Sequence, residues 1–281
     1  MEKKNDRPLS AAEIVDIIES VIPPQLQESW DNSGSQIIFG EKDVRKILLS
    51  IDIDERVIKE SDDIGADMII THHPMLFNSI KSIDADTPKG KLLYHLFKRE
   101  LSVYSCHTPF DKIKGGNNDR IAELLGLGSI KNLAGDPVDS PQKMIENRTE
   151  ADIGRIGRLK EGLTVKQMIE RISSALEMSL RQIRVAGDMD RIVKTIGICT
   201  GAGADLMETA RESGCNMFIT GDVKYHEAQM ADELDICLID AGHYHTEKFF
   251  GRAFCDMVQK KLGDKVEICL SKVDFDPFIM L

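Results

Sequence analysis

The amino-acid sequence predicts an α/β fold made of two similar α/β domains, and three observations carry that prediction. Short apolar runs of strand length alternate with helical patterns, as in Lys46–Ile53 (KILLSIDI), the helical stretch 54–64 and Ala66–Thr71 (ADMIIT). This is a βαβ signature and implies a parallel sheet. The segment Gly65–Thr71 (GADMIIT) returns as Gly214–Thr220 (GCNMFIT), sharing Gly, Met, Ile and Thr. Each copy follows a strand and a helix, which points to internal duplication. Finally, the apolar runs end in His72-His73, His107 and Gly242-His243, and open parallel sheets place ligand-binding residues at the carboxyl ends of their strands.

A chain of 281 residues is long enough for two medium domains. We expect the first over 1–130, a linker over 131–152 and the second over 153–281, with a C-terminal end able to pack back on the first. The linker is placed by its polar character and by Gly135, Pro137 and Pro141. With 36 Lys and Arg against 47 Asp and Glu, the net charge is −11. Such a charge opposes non-specific attraction to phosphate backbones, so direct nucleic-acid binding is not expected. A local basic patch at Lys89–Lys91 or 155–160 stays open. The six cysteines, at 106, 199, 215, 237, 255 and 269, form no Cys-x-x-Cys pair and read as buried free thiols of a reducing compartment. The N-terminal residues Met1–Ser10 are charged, and no apolar run approaches the length of a membrane span. The expectation is a cytoplasmic protein with neither export signal nor membrane span.

In chain order, Ser10-Ala-Ala-Glu13 has the form of a capping box ahead of Ile14, Ile17, Ile18 and Val21 at helical spacing, and Pro23-Pro24 stops that helix. The loop Glu28–Gly34 carries the single tryptophan, Trp30. It reads as a turn that Trp30 anchors to the core; the sharper reading makes it the wall of a pocket. Gly65 ends the helix that begins near Asp54. Residues 84–91 read as a polar loop, 92–99 as a helix and 101–105 as a third strand. The Gly-rich loop 114–119 precedes a helix over 120–125; it could hold an anion, but ordinary turn structure is the far better account of it. The second half continues with a strand over 154–159, a helix over 164–176, and strands over 183–186 and 194–200. A helix over 204–213 and strands over 214–220 and 235–240 complete the pattern.

The chemistry-bearing residues cluster at the strand ends. His243 and Glu247 lie four residues apart, which on a helix puts an imidazole and a carboxylate on one face. Pro74 holds His73 extended, and neighbours in an extended segment point to opposite sides. His72 and His73 would therefore not ordinarily serve one ion as a pair: they could serve two different ions, or one could be structural. A cleft between the two halves would gather His72, His73 and Asp111 from the first with His243 and Glu247 from the second, and His107, His226 and His245 would form a second group nearby. Any one of these histidines is accounted for as a polar strand cap; as a set in repeated positions they point to metal. Nitrogen and carboxylate donors suit two divalent ions among Zn, Fe, Mn, Co and Ni, with Glu247 shared between them. A pair of ions about 3.5–4 Å apart activates water and polarises a phosphoryl or carbonyl oxygen. His226 and His107 are candidates for proton transfer, while Lys224 and His226 could touch substrate. His95, inside a helix, reads as structural.

Five motifs together, Trp30-Asp-Asn-x-Gly34, Thr71-His-His-Pro74, His107-Thr-x-x-Asp111, Thr220-Gly-Asp-x-Lys-Tyr-His226 and Gly242-His-Tyr-x-x-Glu247, resemble the NIF-three-like family, known in bacteria as GTP cyclohydrolase 1 type 2 homologues. The resemblance runs from Ala11 to about Phe254. It implies two α/β domains with a dinuclear metal site between them, ligands at His72, His73, Asp111, His243 and Glu247, and a toroidal homohexamer. Pro109-Phe110 stands where the family has Asn-Leu, and His245 is not a family ligand. The expected function is metal-dependent hydrolysis of a small molecule, possible substrates including nucleotides. Metal handling or metal insertion without catalysis, and a hexameric interaction scaffold, are the alternatives.

Overall fold

The computed structural model describes residues 7–134, 140–146 and 153–280. The chain divides into two compact units. One runs to Phe110 and takes up the chain again over Phe250–Phe275; the other comprises Asp111–Phe249 and the final residues from Asp276.

In chain order the elements are β1 (Leu9–Ser10), α1 (Ala11–Glu19), β2 (Gly34–Ile37), β3 (Asp43–Val44), β4 (Lys46–Ser50), α2 (Glu55–Ile64), β5 (Met68–Thr71), α3 (Pro88–Arg99), β6 (Ser102–Ser105), α4 (Thr108–Lys112), α5 (Asn117–Leu124), β7 (Gly128–Asn132) and α6 (Pro141–Glu146). There follow β8 (Arg155–Thr164), α7 (Val165–Ala175), β9 (Arg184–Ala186), β10 (Ile192–Ile198), α8 (Met207–Glu212), β11 (Met217–Thr220), α9 (Tyr225–Glu233), β12 (Cys237–Asp240), α10 (His243–Glu247), α11 (Phe250–Leu262) and β13 (Glu267–Leu270). The stretch expected as a linker, 131–152, contains the end of β7 and the whole of α6; its residues 135–139 and 147–152, including Gly135 and Pro137, lie outside the described residues.

In the first unit the sheet order is β13-β4-β5-β6-β2, and β13, β4, β5 and β6 run parallel. Helices α2 and α3 bury Val57, Ile58, Leu92, Leu93 and Leu96 with Leu48, Ile69 and Val103 of the sheet. On the other side α11 packs on β4 and β13, and α1 on α11. Sheets covered on both faces need strands that are apolar throughout, which is why MIIT in β5 is buried at every position.

The second unit has the order β7-β8-β10-β11-β12-β9, with β10, β11 and β12 parallel. One face carries Ile196, Ile198, Met217, Ile219 and Ile239 against α5 and α7. The other carries Phe218 and Leu238 against α8 and α9. Three central parallel strands thus recur in each unit, each flanked by an antiparallel strand that precedes them in sequence, β2 beside β6 and β9 beside β12. The repeated methionines occupy the same register: Met68 faces Ile47, and Met217 faces Ile196.

Local signals explain most boundaries. The Ser10–Glu13 capping box forms with both hydrogen bonds, Asp54 caps α2 through Arg56 N and Val57 N, and Gly65 ends it at φ 67°. The expected loop 84–91 is shorter than its polarity suggests. Thr87 caps Gly90 N, and Pro88 takes the first helical position, where its missing N–H costs nothing. Likewise α5 begins at Asn117 rather than at 120: Gly116 is its N-cap, and Asn117, Asn118 and Asp119 of the Gly-rich run form its buried first turn.

Candidate metal centre

The first unit brings three imidazoles to the carboxyl ends of β5 and β6. Strand pairing stops at Thr71 and Ser105. The Thr71 hydroxyl donates to the His73 carbonyl at 2.8 Å, and the Ser105 hydroxyl reaches the same oxygen at 3.2 Å. This pins a bend at His72-His73 where an extended segment was expected. The two rings converge, with centroids 5.0 Å apart, and each also meets His107, at 5.2 Å for His72 and 5.6 Å for His73. Each of the three rings offers a nitrogen within 4.8 Å of the others, so the group could hold a metal ion. The sequence expectation that His72 and His73 diverge is corrected here: hydroxyl-to-carbonyl bonds override the alternation of a strand once pairing has ended.

Each ring is oriented through its Nδ1. His72, fully buried, donates to the Cys106 carbonyl at 2.8 Å. His73 is paired with Asp52 Oδ1 at 3.0 Å and His107 with Asp31 Oδ1 at 2.7 Å. Such contacts fix the tautomer and direct Nε2 toward a ligand. Asp31 also accepts from the Thr108 hydroxyl at 2.5 Å. Burial works to raise its pKa, but the His107 ring and the Thr108 hydroxyl outweigh it and hold the carboxyl below its ordinary value. Trp30 does not anchor this loop in the core, contrary to the simpler expectation: it is 57% exposed, and it lies edge-on to His107 with centroids 5.9 Å apart. The unusual Phe110 is no pocket surface either. It is buried against Phe250 and Phe254.

The second unit supplies an imidazole and two buried carboxylates. Gly242 breaks the chain after β12 at φ 77°, and α10 then sets His243 Nε2 3.1 Å from Glu247 Oε2, the spacing expected of residues four apart. His243 Nδ1 is paired with Asp222 Oδ2 at 2.8 Å. Asp222 itself sits in the left-handed region at φ 55°, which Asp tolerates better than most residues. Glu247 is 3% exposed and Asp111 is also buried. Asp111 Oδ1 accepts from the Asn117 amide at 2.9 Å. The Asn118 amide donates to the Asp111 and Ile153 carbonyls, while its oxygen accepts from Thr200 N at 2.9 Å. The next residue, Gly201, lies at φ +70°, and a Cβ there would stand 2.3 Å from Glu247 Oε1. Burial, together with Asp111, Asp205 and Glu247, raises the Cys199 thiol well above its ordinary value.

The remaining sequence candidates fall elsewhere. His226 opens the exposed face of α9, with its Nδ1 3.1 Å from Gln229 Oε1. Lys224 is exposed and paired with Glu227. His245 is buried, 3.2 Å from the Gln182 amide and 3.6 Å from Asp276. His95 pairs with Asp62 at 3.2 Å in a structural role. Within the basic stretch 155–160, Arg155 is fully buried and paired with Asp119 at 2.9 Å; Lys89 donates to the Met75 carbonyl. Sequence reading missed Asp31, Asp52 and Asp222 as orienting carboxylates and Gly201 as the residue that makes room for Glu247. The Gly-rich run after β10 was the only signal available for the last.

The donor chemistry fits divalent transition ions: imidazoles turned by oxygen acceptors, and buried carboxylates. Two α/β units bearing such residues at the ends of parallel strands define the class: α/β proteins with side-chain groups that could hold metal ions. The sequence matches the Duf34/NIF3 (NGG1p interacting factor 3) family over residues 9–277, and the chain belongs to that family. It is 37% identical over 266 residues to a GTP cyclohydrolase 1 type 2 homolog of Clostridium perfringens, covering 95% of this chain and 97% of that one. It is 32% identical to the protein of the same name from Clostridium acetobutylicum, covering 96% and 98%. The crystal structure of a Bacillus cereus protein related to NIF3 superposes with a TM-score of 0.86 at 24% identity, covering 97% and 99% of the two chains, and so shares the fold. No helix among the described residues is long and apolar enough to cross a membrane.

Proposed function

We propose that the protein is a metal-dependent hydrolase in which His72, His73, Asp111, His243 and Glu247 hold two divalent ions, with Glu247 touching both. The observation that carries this reading is the shared orientation of the histidines: His72, His73 and His243 each have Nδ1 engaged by an oxygen acceptor, the arrangement that supports metal-ligating imidazoles. Two ions would supply Lewis acidity and a water acidic enough to ionise near neutral pH. The protein's own residues do the rest. Gly201 leaves room for the Glu247 carboxylate, and Asn117 orients that of Asp111. Asp31 fixes the His107 ring so that Nε2 can accept a proton and return it to a leaving group; His226 is the second candidate for that role. The substrate is a small molecule, and the name of the clostridial relatives makes GTP the first to try. The working form is proposed to be a cytoplasmic homohexamer.

The test is reconstitution with Mn, Fe, Co, Ni or Zn, followed by a screen against GTP, cyclic nucleotides and phosphoesters. We expect turnover with at least one metal, lost in Glu247→Gln. Silence with every metal, or turnover that survives Glu247→Gln, refutes the reading.

A further inference from the structure

Beside the His72, His73 and His107 group stand two large rings that metal binding does not use. Trp30 is 57% exposed and Phe77 46%. Single exposed apolar side chains are ordinary, but these two touch. Their centroids are 6.2 Å apart, and Phe77 lies 6.3 Å from His107 as Trp30 lies 5.9 Å. Nor do they hang on loose loops. The Asn32 amide donates to the Leu76 carbonyl at 2.7 Å, Leu76 N donates to Gln36 Oε1 at 2.9 Å, and the Gln36 amide donates back to the Asn32 carbonyl at 2.8 Å. The two loops are thereby stitched together two residues from Trp30 and one from Phe77, and Asp31 ties the same segment to His107 and Thr108. Rings held in solvent by such a network have already lost the loop freedom that ligand binding would otherwise remove.

We propose that Trp30 and Phe77 form a stacking wall for a planar nitrogen heteroaromatic ring of purine type. The inference deepens the hydrolase reading by naming the substrate class, and it rests on that reading only for the ligand's later fate. Indole and phenyl faces stack flat π systems of any base. The half-exposed carboxylate of Asp52, on His73, offers acceptors for ring N–H and amino donors at the same end of the unit.

Trp30 is the only tryptophan, so its fluorescence reports on the wall directly. Full-length protein, once chelator-stripped and once loaded with manganese, is titrated with guanosine and with ribose 5-phosphate, which lacks the ring. We expect saturable quenching by guanosine and none by ribose 5-phosphate. By calorimetry, guanosine affinity should fall about tenfold in Trp30→Ala and in Phe77→Ala and be largely kept in Trp30→Phe. Both substituted residues are exposed, and thermal melting checks that the variants fold. The proposal is overturned by absent quenching, by equal quenching with ribose 5-phosphate, or by unchanged affinity in Trp30→Ala. It is also overturned if the variants change the sedimenting mass while affinity holds, since the rings would then cover a second copy of the chain. Guanosine binding in a protein that takes up none of manganese, iron, cobalt, nickel and zinc would sink the metal reading alone; metal uptake without guanosine binding would sink the wall alone.

Discussion

At the scale of single residues, the proposed site depends as much on the carboxylates that orient its imidazoles as on the proposed ligands. Asp222 accepts the Nδ1 proton of His243 from a left-handed backbone position, so ring orientation and local backbone conformation are set together. Removing such a partner lowers metal affinity by about 10–100-fold in comparable sites. We expect a loss of that size in Asp222→Ala, measured by chelator competition, beside a fall of a few degrees in melting temperature from placing Ala at φ 55°. A variant with unchanged affinity would show that His243 needs no orienting partner. The histidines proposed as ligands stood out because their position at the ends of apolar runs is a sequence pattern. Asp31, Asp52 and Asp222 were not, since a carboxylate that meets a ring across loops leaves no periodicity to read. The divergence expected of His72 and His73 failed for a related reason: the hydroxyls of Thr71 and Ser105, which bend that segment, act through a tertiary contact.

At the scale of elements, helix starts and stops followed their local chemistry, as the caps at Ser10, Asp54 and Thr164 show. What local chemistry could not reveal is how closely two elements approach. The turn after β10 meets α10 at Gly201, where an added Cβ would lie 2.3 Å from a Glu247 oxygen, at a backbone φ of +70°. Gly214, which follows α8, has a similar φ of +84° but open space around its Cβ. The pair makes a controlled comparison. Both Gly201→Ala and Gly214→Ala incur the left-handed penalty of roughly 1–2 kcal/mol, worth about 2–8 °C in melting temperature for a chain of this kind. Only Gly201→Ala should also displace the Glu247 carboxylate, so only it should weaken metal binding. Equal metal affinity in the two variants would show that Glu247 tolerates the intrusion and that Gly201 serves the backbone alone.

At the scale of the whole molecule, the repeat read in GADMIIT and GCNMFIT corresponds to a recurring strand order and register, because buried parallel strands must be apolar on both faces and so keep a recognisable composition. The return of α11 and β13 to the first unit had no comparable signal, since a strand added at a sheet edge needs no special sequence. The proposed ligands come from both units of the chain, and their cooperation can be tested without assuming any arrangement. An ion that binds only the folded protein stabilises it by about 2.7 kcal/mol at a hundredfold excess over its dissociation constant. If His73 and Glu247 serve the same ions, His73→Ala and Glu247→Gln should each abolish most of that metal-dependent gain in melting temperature. The double variant should then lose no more than either single one, the non-additivity of residues that act as one set. Losses that simply add would assign the two residues to independent sites and divide the proposed dinuclear centre between the units.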